Sequence, residues 1–306
     1  MPYSAGMKLT GVFNVLQTPL TETDEIDELV FAHEIEWLLG CGVDGVVLAM
    51  VSEVLRFSAE DRRKQWQLVL KLINGRVPVV ASVGAESTYI ATSLSKWAEI
   101  DGAAAIMATP PSAFATLSDE IKDYYVAIIE SVKIPVIVQD ASNYLGQPLD
   151  ISLYVDLIDK YGAERVQFKP EAKPVKERLE LLRDASNGRA LVFEGQGGVD
   201  LLDTYPIGIV GTMPGAEVPW ALVALFKALK ENNWDRARSI HTPLAKLISY
   251  QTTLDAYVAV EKYLLVKQGI FTSSRQRGPV GFILSSDSKI EIDAAFDALE
   301  KAVSAK

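Results

Sequence analysis

Short runs of β-branched and other apolar residues alternate along the chain with longer stretches whose apolar positions recur every three or four residues. The short runs are Lys8–Leu16, Gly45–Met50, Val77–Val83, Ala103–Ala108, Pro135–Asp140, Arg165–Lys169, Ala190–Glu194 and Gly208–Thr212. They are almost continuously apolar, as parallel strands covered on both faces must be, rather than alternating as half-exposed strands do. Between them the helical period predicts Ile26–Leu39, Ala59–Ile73, Ser87–Ile100, Ser118–Ser131, Ile151–Tyr161, Val175–Ala185 and Leu222–Lys230. Ser58 followed by Ala-Glu-Asp has the pattern of a capped helix start. The link Gly197–Thr204 holds only about two helical turns.

Eight strands, each followed by a helix, predict an α/β chain of the (β/α)₈ barrel class with a C-terminal helical extension. The barrel is expected over 1–232 and carries the active site; 233–306 is expected as a helical region packed on it. In that tail Trp234–Tyr250, Thr253–Lys267 and Ile290–Ala305 have helical spacing, and Ser273–Gly278 reads as a loop.

Composition narrows the chemistry. Acidic residues outnumber basic ones, 40 to 30, for a net charge of −10. That field disfavours nucleic acid and anionic membrane as partners. One cysteine, Cys41, and two histidines, His33 and His241, leave no disulfide framework and no thiolate or histidine metal cluster. No apolar run approaches a membrane span, and the N-terminus lacks a secretory pattern, so a cytoplasmic protein is expected. The chemistry falls to lysine, carboxylates, hydroxyls and backbone amides, with no metal.

In a barrel of this class the active site lies at the carboxyl ends of the strands. Those ends deliver Gln17 and Thr18, then Val51, Ser52 and Glu53, then Gly84 and Glu86, Thr109, Gln139 and Asp140, Lys169 and Glu171, Glu194, and Thr212. Polar residues thus ring a single lysine. Strand alternation puts Gln167 and Lys169 on one face, Val166 and Phe168 on the other. The bulkier pair suits the helix side, which turns Lys169 into the mouth. There a partly apolar setting lowers an amine's pKa, and a neutral amine attacks ketones to form a Schiff base. Glu171 shares the lysine's face if the strand geometry continues past Pro170, where the strand is expected to stop. Asp140 is either an acid/base or a cap for the next turn. Glu53 is either catalytic or a partner of loop amides. Glycines 195, 197 and 198 line the site or cradle a phosphate, although no basic residue stands close to them in sequence. Tyr124 and Tyr125 read as helix packing, and Cys41 as a small buried filler.

The motifs GVFNVLQTPL, VLAMVSEVLRFSAEDR, MATPP, PVIVQD, VQFKPE, FEG and GIVGTMPG stand in order over nearly the whole chain. Together they resemble the dihydrodipicolinate synthase and N-acetylneuraminate lyase family of Schiff-base lyases. The resemblance implies a covalent imine at Lys169, with no separate cofactor. It also implies a small 2-keto acid partner whose carboxylate is held by amides of Met50, Val51 and Ser52. A homo-oligomer, dimer or tetramer, is implied as well.

The departures matter as much. Where the family's synthase has a proton-relaying tyrosine on strand 5, this chain has Gln139. Where the synthase places a second tyrosine after strand 4, Pro111 and Ser112 stand. Its aldehyde-binding arginine appears as Tyr144. The pattern resembles instead the subgroup acting on 2-keto-3-deoxy sugar acids, such as L-2-keto-3-deoxyarabonate dehydratase. That subgroup implies imine formation on Lys169 followed by dehydration or aldol cleavage. Catalytic work then falls to Lys169, Glu171, Asp140 and Gln139. Substrate contacts fall to Met50, Val51, Ser52, Glu53, Glu194, Gly195 and Thr212. The competing expectations are the synthase itself and a catalytically silent keto-acid binder.

Overall fold

The computed structural model describes residues 8–113 and 116–305. Eight strands are present: β1 Gly11–Val15, β2 Gly45–Val47, β3 Val79–Ser82, β4 Ala105–Ala108, β5 Val136–Asp140, β6 Val166–Pro170, β7 Phe193–Glu194 and β8 Gly211–Thr212. They lie in one sheet in the order β6-β5-β4-β3-β2-β1-β8-β7. A parallel bridge from Phe168 to Val192 brings β6 to the segment entering β7, so the sheet nearly closes on itself. With its surrounding helices this is a (β/α)₈ barrel. No helix among the described residues is long and apolar enough to cross a membrane.

The chain divides into two compact units. The first holds 8–10, 58–195 and 203–212. Here β3 to β6 alternate with helices α2 Ala59–Ile73, α3 Thr88–Asp101, α4 Ser118–Ser131, α5 Ile151–Tyr161 and α6 Val175–Ala185. Its interior is close-packed around Trp66, Tyr125, Tyr154 and Phe168. The Tyr154 and Phe168 rings meet edge to face at 4.9 Å, so Phe168 points to α5 as the alternation requires. Ser58 accepts the Asp61 N–H at 3.1 Å and starts α2 where the sequence pattern placed it.

The second unit holds 11–57, 196–202 and 213–305. It contains β1, β2 and helices α1 Glu28–Cys41, α8 Pro219–Lys230, α9 Trp234–Ile248, α10 Leu254–Lys267 and α11 Ser286–Ser304, plus the 3₁₀ turn Met50–Ser52. Residues 273–278 carry no regular element, as expected for a loop.

Several boundaries differ from the sequence reading. Strand β8 is two residues, not five, because Gly208 (φ 104°) ends a 3₁₀ turn over Tyr205–Ile207. Strand β7 is likewise two residues. The short link before β8 contains the one-turn helix α7, Leu201–Thr204. Helix α8 begins at Pro219, whose missing N–H costs nothing in a first turn. Helix α11 begins four residues before the first apolar residue of its pattern, since Ser285 accepts the Ser288 N–H at 3.0 Å. Strand β6 does not stop before Pro170. The Glu171 N–H donates to the Asp140 carbonyl at 3.1 Å, so the β5–β6 pairing runs through Pro170, which stands opposite Asp140. Proline removes only its own donor, which leaves the next residue free to continue the ladder.

Candidate active site

The continuation of β6 decides the local chemistry. Lys169 and Glu171 lie two residues apart on one extended segment, and both side chains point the same way. The Lys169 ammonium donates to Glu171 Oε1 at 3.1 Å, with both groups buried. On β5 Gln139 stands in register with Lys169. Its amide donates to Glu171 Oε2 at 2.7 Å. One carboxylate is therefore held by two donors, one oxygen each. Burial pushes the Glu171 carboxyl above its ordinary range. The Lys169 charge and the bonds from Gln139 and Lys169 pull against that rise, while Asp140 adds to it.

Gly195 completes this corner by what it lacks. A Cβ at that position would come within 2.8 Å of Lys169 Cε and 2.9 Å of Glu171 Cγ, closer than real carbon contacts allow. The glycine of the FEG motif is thus required for close approach to the amine–carboxylate pair. One residue earlier, Glu194 pairs in register with Thr212 of β8. The Thr212 hydroxyl donates to Glu194 Oε2 at 2.6 Å, and both residues are buried.

Asp140 is placed differently. Its side chain alternates away from that of Gln139. Its carboxylate accepts from the Ser142 N–H (3.0 Å), the Leu149 N–H (2.9 Å) and the Tyr154 hydroxyl (3.3 Å). It closes the loop after β5, the capping alternative of the sequence reading. Tyr124 and Tyr125 form an edge-to-face pair at 5.3 Å. The Tyr125 hydroxyl lies between the carbonyls of Ala108 and Gln139 at 3.3 and 3.4 Å, fastening β4 to β5 from behind. Ser112, where the synthase has its tyrosine, is tied through its N–H and hydroxyl to Glu86.

The other expected substrate contacts lie in the second unit. Met50, Val51 and Ser52 form the 3₁₀ turn after β2. The Ser52 hydroxyl oxygen accepts the Ala49 N–H at 3.1 Å, and its carbonyl accepts from Thr18 at 2.7 Å. Glu53 follows in the left-handed region (φ 61°). Its carboxylate takes the Lys262 ammonium and, at 2.7 Å, the Arg277 N–H, so its side chain ties the turn to α10 and to the 273–278 loop. Gly197 and Gly198 have positive φ, and a Cβ on Gly198 would strike Leu222 at 2.5 Å. Both positions meet the demands of turn geometry, and Gly198 those of tight packing.

Sequence reasoning missed a buried polar network in this second unit. Glu34, Glu217 and Glu261 are all buried, with Gln17 and Gln251 among them. Gln17 donates through its backbone to Glu34 Oε1 (2.9 Å) and through its side chain to Glu261 Oε2 (2.7 Å). Gln251 donates to Glu217 Oε1 at 2.8 Å. The signal was present in the charged pair Glu261-Lys262, which interrupts an otherwise apolar helix core.

The sixth strand of the barrel thus ends in a buried lysine paired to a carboxylate. Residues 8–299 match the model of the dihydrodipicolinate synthetase family, and the chain belongs to that family. It is 26% identical to L-2-keto-3-deoxyarabonate dehydratase of Azospirillum brasilense, over 99% of this chain and 98% of that one. Among solved structures it is similar to the 4-hydroxy-tetrahydrodipicolinate synthase of Methylacidiphilum fumariolicum, with TM-score 0.88, 21% identity, and 97% of each chain covered. It is also similar to YagE, an Escherichia coli prophage protein of the dihydrodipicolinic acid synthase family solved with pyruvate. That match has TM-score 0.86 and 22% identity, over 95% of this chain and 99% of that one.

Proposed function

We propose that this lyase dehydrates a 2-keto-3-deoxy sugar acid through a Schiff base on Lys169. The observation that carries the reading is the buried Lys169–Glu171–Gln139 arrangement, in which a carboxylate touches the amine. The 26% identical dehydratase, matched over both full lengths, supports the substrate class.

In this reading the Lys169 amine adds to the C2 ketone, and water leaves to give an iminium. The iminium withdraws electrons from C3, so its proton becomes acidic, and Glu171 accepts it. The resulting enamine expels the C4 hydroxyl, which departs as water with that proton. Hydrolysis of the unsaturated imine frees Lys169 and the product. One carboxyl group that takes and returns one proton suffices, which suits a site with glutamine where a tyrosine relay would stand. Gln139 cannot exchange protons at neutral pH. Condensation with a second substrate, as in the synthase, would need that relay and a cationic grip that Tyr144 does not supply. The iminium itself is the electron sink, so the reading calls for no further cofactor. A cytoplasmic homo-oligomer, dimer or tetramer, remains part of the proposal.

The test is turnover of a panel of 2-keto-3-deoxy acids, beside pyruvate with aspartate semialdehyde, and mass spectrometry after borohydride. The expected result is dehydration of a panel member and a reduced adduct on Lys169 that Lys169→Ala abolishes. Release of pyruvate and an aldehyde would make it an aldolase instead. Efficient condensation with an inert panel would reject the reading.

A further inference from the structure

Gln139 occupies the position where the synthase carries a titrating tyrosine, yet it has no proton to give at neutral pH. Its geometry suggests a different task. The Glu171 carboxylate is faced by Lys169 from its own strand and by Gln139 from β5. Asp140 of β5 and Tyr154 of α5 act on it through their charge or potential charge. Gly195 approaches it closely as well, since a Cβ there would lie 3.1 Å from Glu171 Oε1. Two donors reach it, and they take different oxygens. Gln139 holds Oε2, which leaves Oε1 directed at the amine.

Gln139 is itself fixed. Its backbone is paired in register with Lys169, and its carbonyl lies 3.4 Å from the buried Tyr125 hydroxyl. The next residue, Asp140, is anchored by two loop amides and Tyr154. The amide therefore belongs to a rigid strand end rather than to a loop, the condition for holding a reacting group in place.

We infer that Gln139 is the positioning residue that makes Glu171 the proton acceptor of Lys169, by tying one carboxylate oxygen and presenting the other to the amine. The strand 5 side chain fixes a base instead of being one. Before imine formation Glu171 Oε1 takes a proton from the Lys169 ammonium, leaving a neutral amine and a neutral carboxyl group; as the iminium forms, that proton leaves with the C2 oxygen as water, and Glu171 is a carboxylate again for the proton at C3. No other reactant is needed. A hydrogen bond to the carboxylate also favours its charged form, so Gln139 sets the pH at which Glu171 can accept.

The inference rests on Lys169 as the imine-forming residue, and the experiment separates the two. The full-length protein is mixed with pyruvate, and the rate of borohydride-trapped adduct on Lys169 is measured against pH. Gln139→Met removes the donor at similar volume and is expected to move the acid-side midpoint upward by about one pH unit. Gln139→Glu keeps the shape and restores a donor only when protonated. Its profile should divide into two steps, as for two carboxyls sharing one proton. Thermal unfolding of both variants identifies any that fail to fold, and either folded variant is sufficient. A midpoint unmoved in the folded variants, whatever the change in rate, overturns the role of Gln139. Absence of any Lys169 adduct in the unaltered protein, with pyruvate or a 2-keto-3-deoxy acid, removes the nucleophile and the inference with it.

Discussion

Two groups of buried carboxylates can be compared in this chain, one in each compact unit. Glu171 is buried but faces an ammonium group and an amide donor, so each oxygen has a partner. Glu34, Glu217 and Glu261 are equally buried, yet three acids share amide donors, and Lys262, whose charge acts on Glu34, is bound to Glu53. Glu34 Oε2, Glu217 Oε2 and Glu261 Oε1 have no hydrogen-bond partner among the described residues. Burial raises the pKa in both places. In the first the rise is countered by a charge at contact distance; in the second Glu217 raises Glu261 further. Glu34 and Glu261 are both pushed well above the ordinary carboxylate range. Burial of the same residue type is thus opposed where a cation faces it and reinforced where another acid does.

The largest expected effect comes from removing the acceptor. Glu171→Gln keeps the shape and the buried position but cannot take a proton. Turnover of the 2-keto-3-deoxy substrate should fall by on the order of 10² to 10⁴. The adduct on Lys169 should still be trapped, more slowly. Unchanged kcat in steady-state assays would erase the distinction between the two groups.

A smaller effect is expected from crowding the pair without altering its chemistry. Gly195→Ala brings a methyl group within 2.8 Å of Lys169 Cε. Displacing the amine from the carboxylate should lower kcat/KM by about 10²-fold. Overpacking should cost about 1–3 kcal/mol of stability, which urea unfolding can measure.

The smallest effect lies in the second unit and reads stability instead of activity. A carboxyl whose folded pKa is raised stabilises the protein fully below its unfolded value, near 4.5, and loses that contribution as pH rises through the folded pKa. Stability from the acid group should therefore decline from about pH 4.5 upward. Glu261→Gln keeps an uncharged group there. It should flatten that decline and add about 1 kcal/mol near neutral pH. Denaturation followed from pH 5 to 8 gives the slope directly. A steeper decline in the variant would mean that the cluster is charged and balanced after all.

Much of this was legible in the chain because the strands of a barrel are buried on both faces and leave long apolar runs. All eight strands and the helices between them follow from that pattern. What the pattern could not show was length, since Gly208 and its 3₁₀ turn trim β8 through backbone geometry that hydropathy does not carry. Lys169 and Glu171 could be read as neighbours by alternation alone. Whether they stayed neighbours depended on Pro170, and only the Glu171 N–H bond to Asp140 answers that. Gln139 looked like a loss when judged as a missing tyrosine; its bond to Glu171 becomes visible only across strands. The acid cluster escaped because Glu34, Glu217 and Glu261 are far apart in sequence. Each resembles a surface residue until the fold brings them together.

The ladder that runs through Pro170 has a consequence for how much change the site tolerates. Lys169 and Glu171 are joined by two peptide units at the end of one strand, and their spacing depends little on any loop. Insertions in the loops after the other strands should therefore leave the Lys169–Glu171 contact in place, so the pair forms a unit that loop variation does not dismantle.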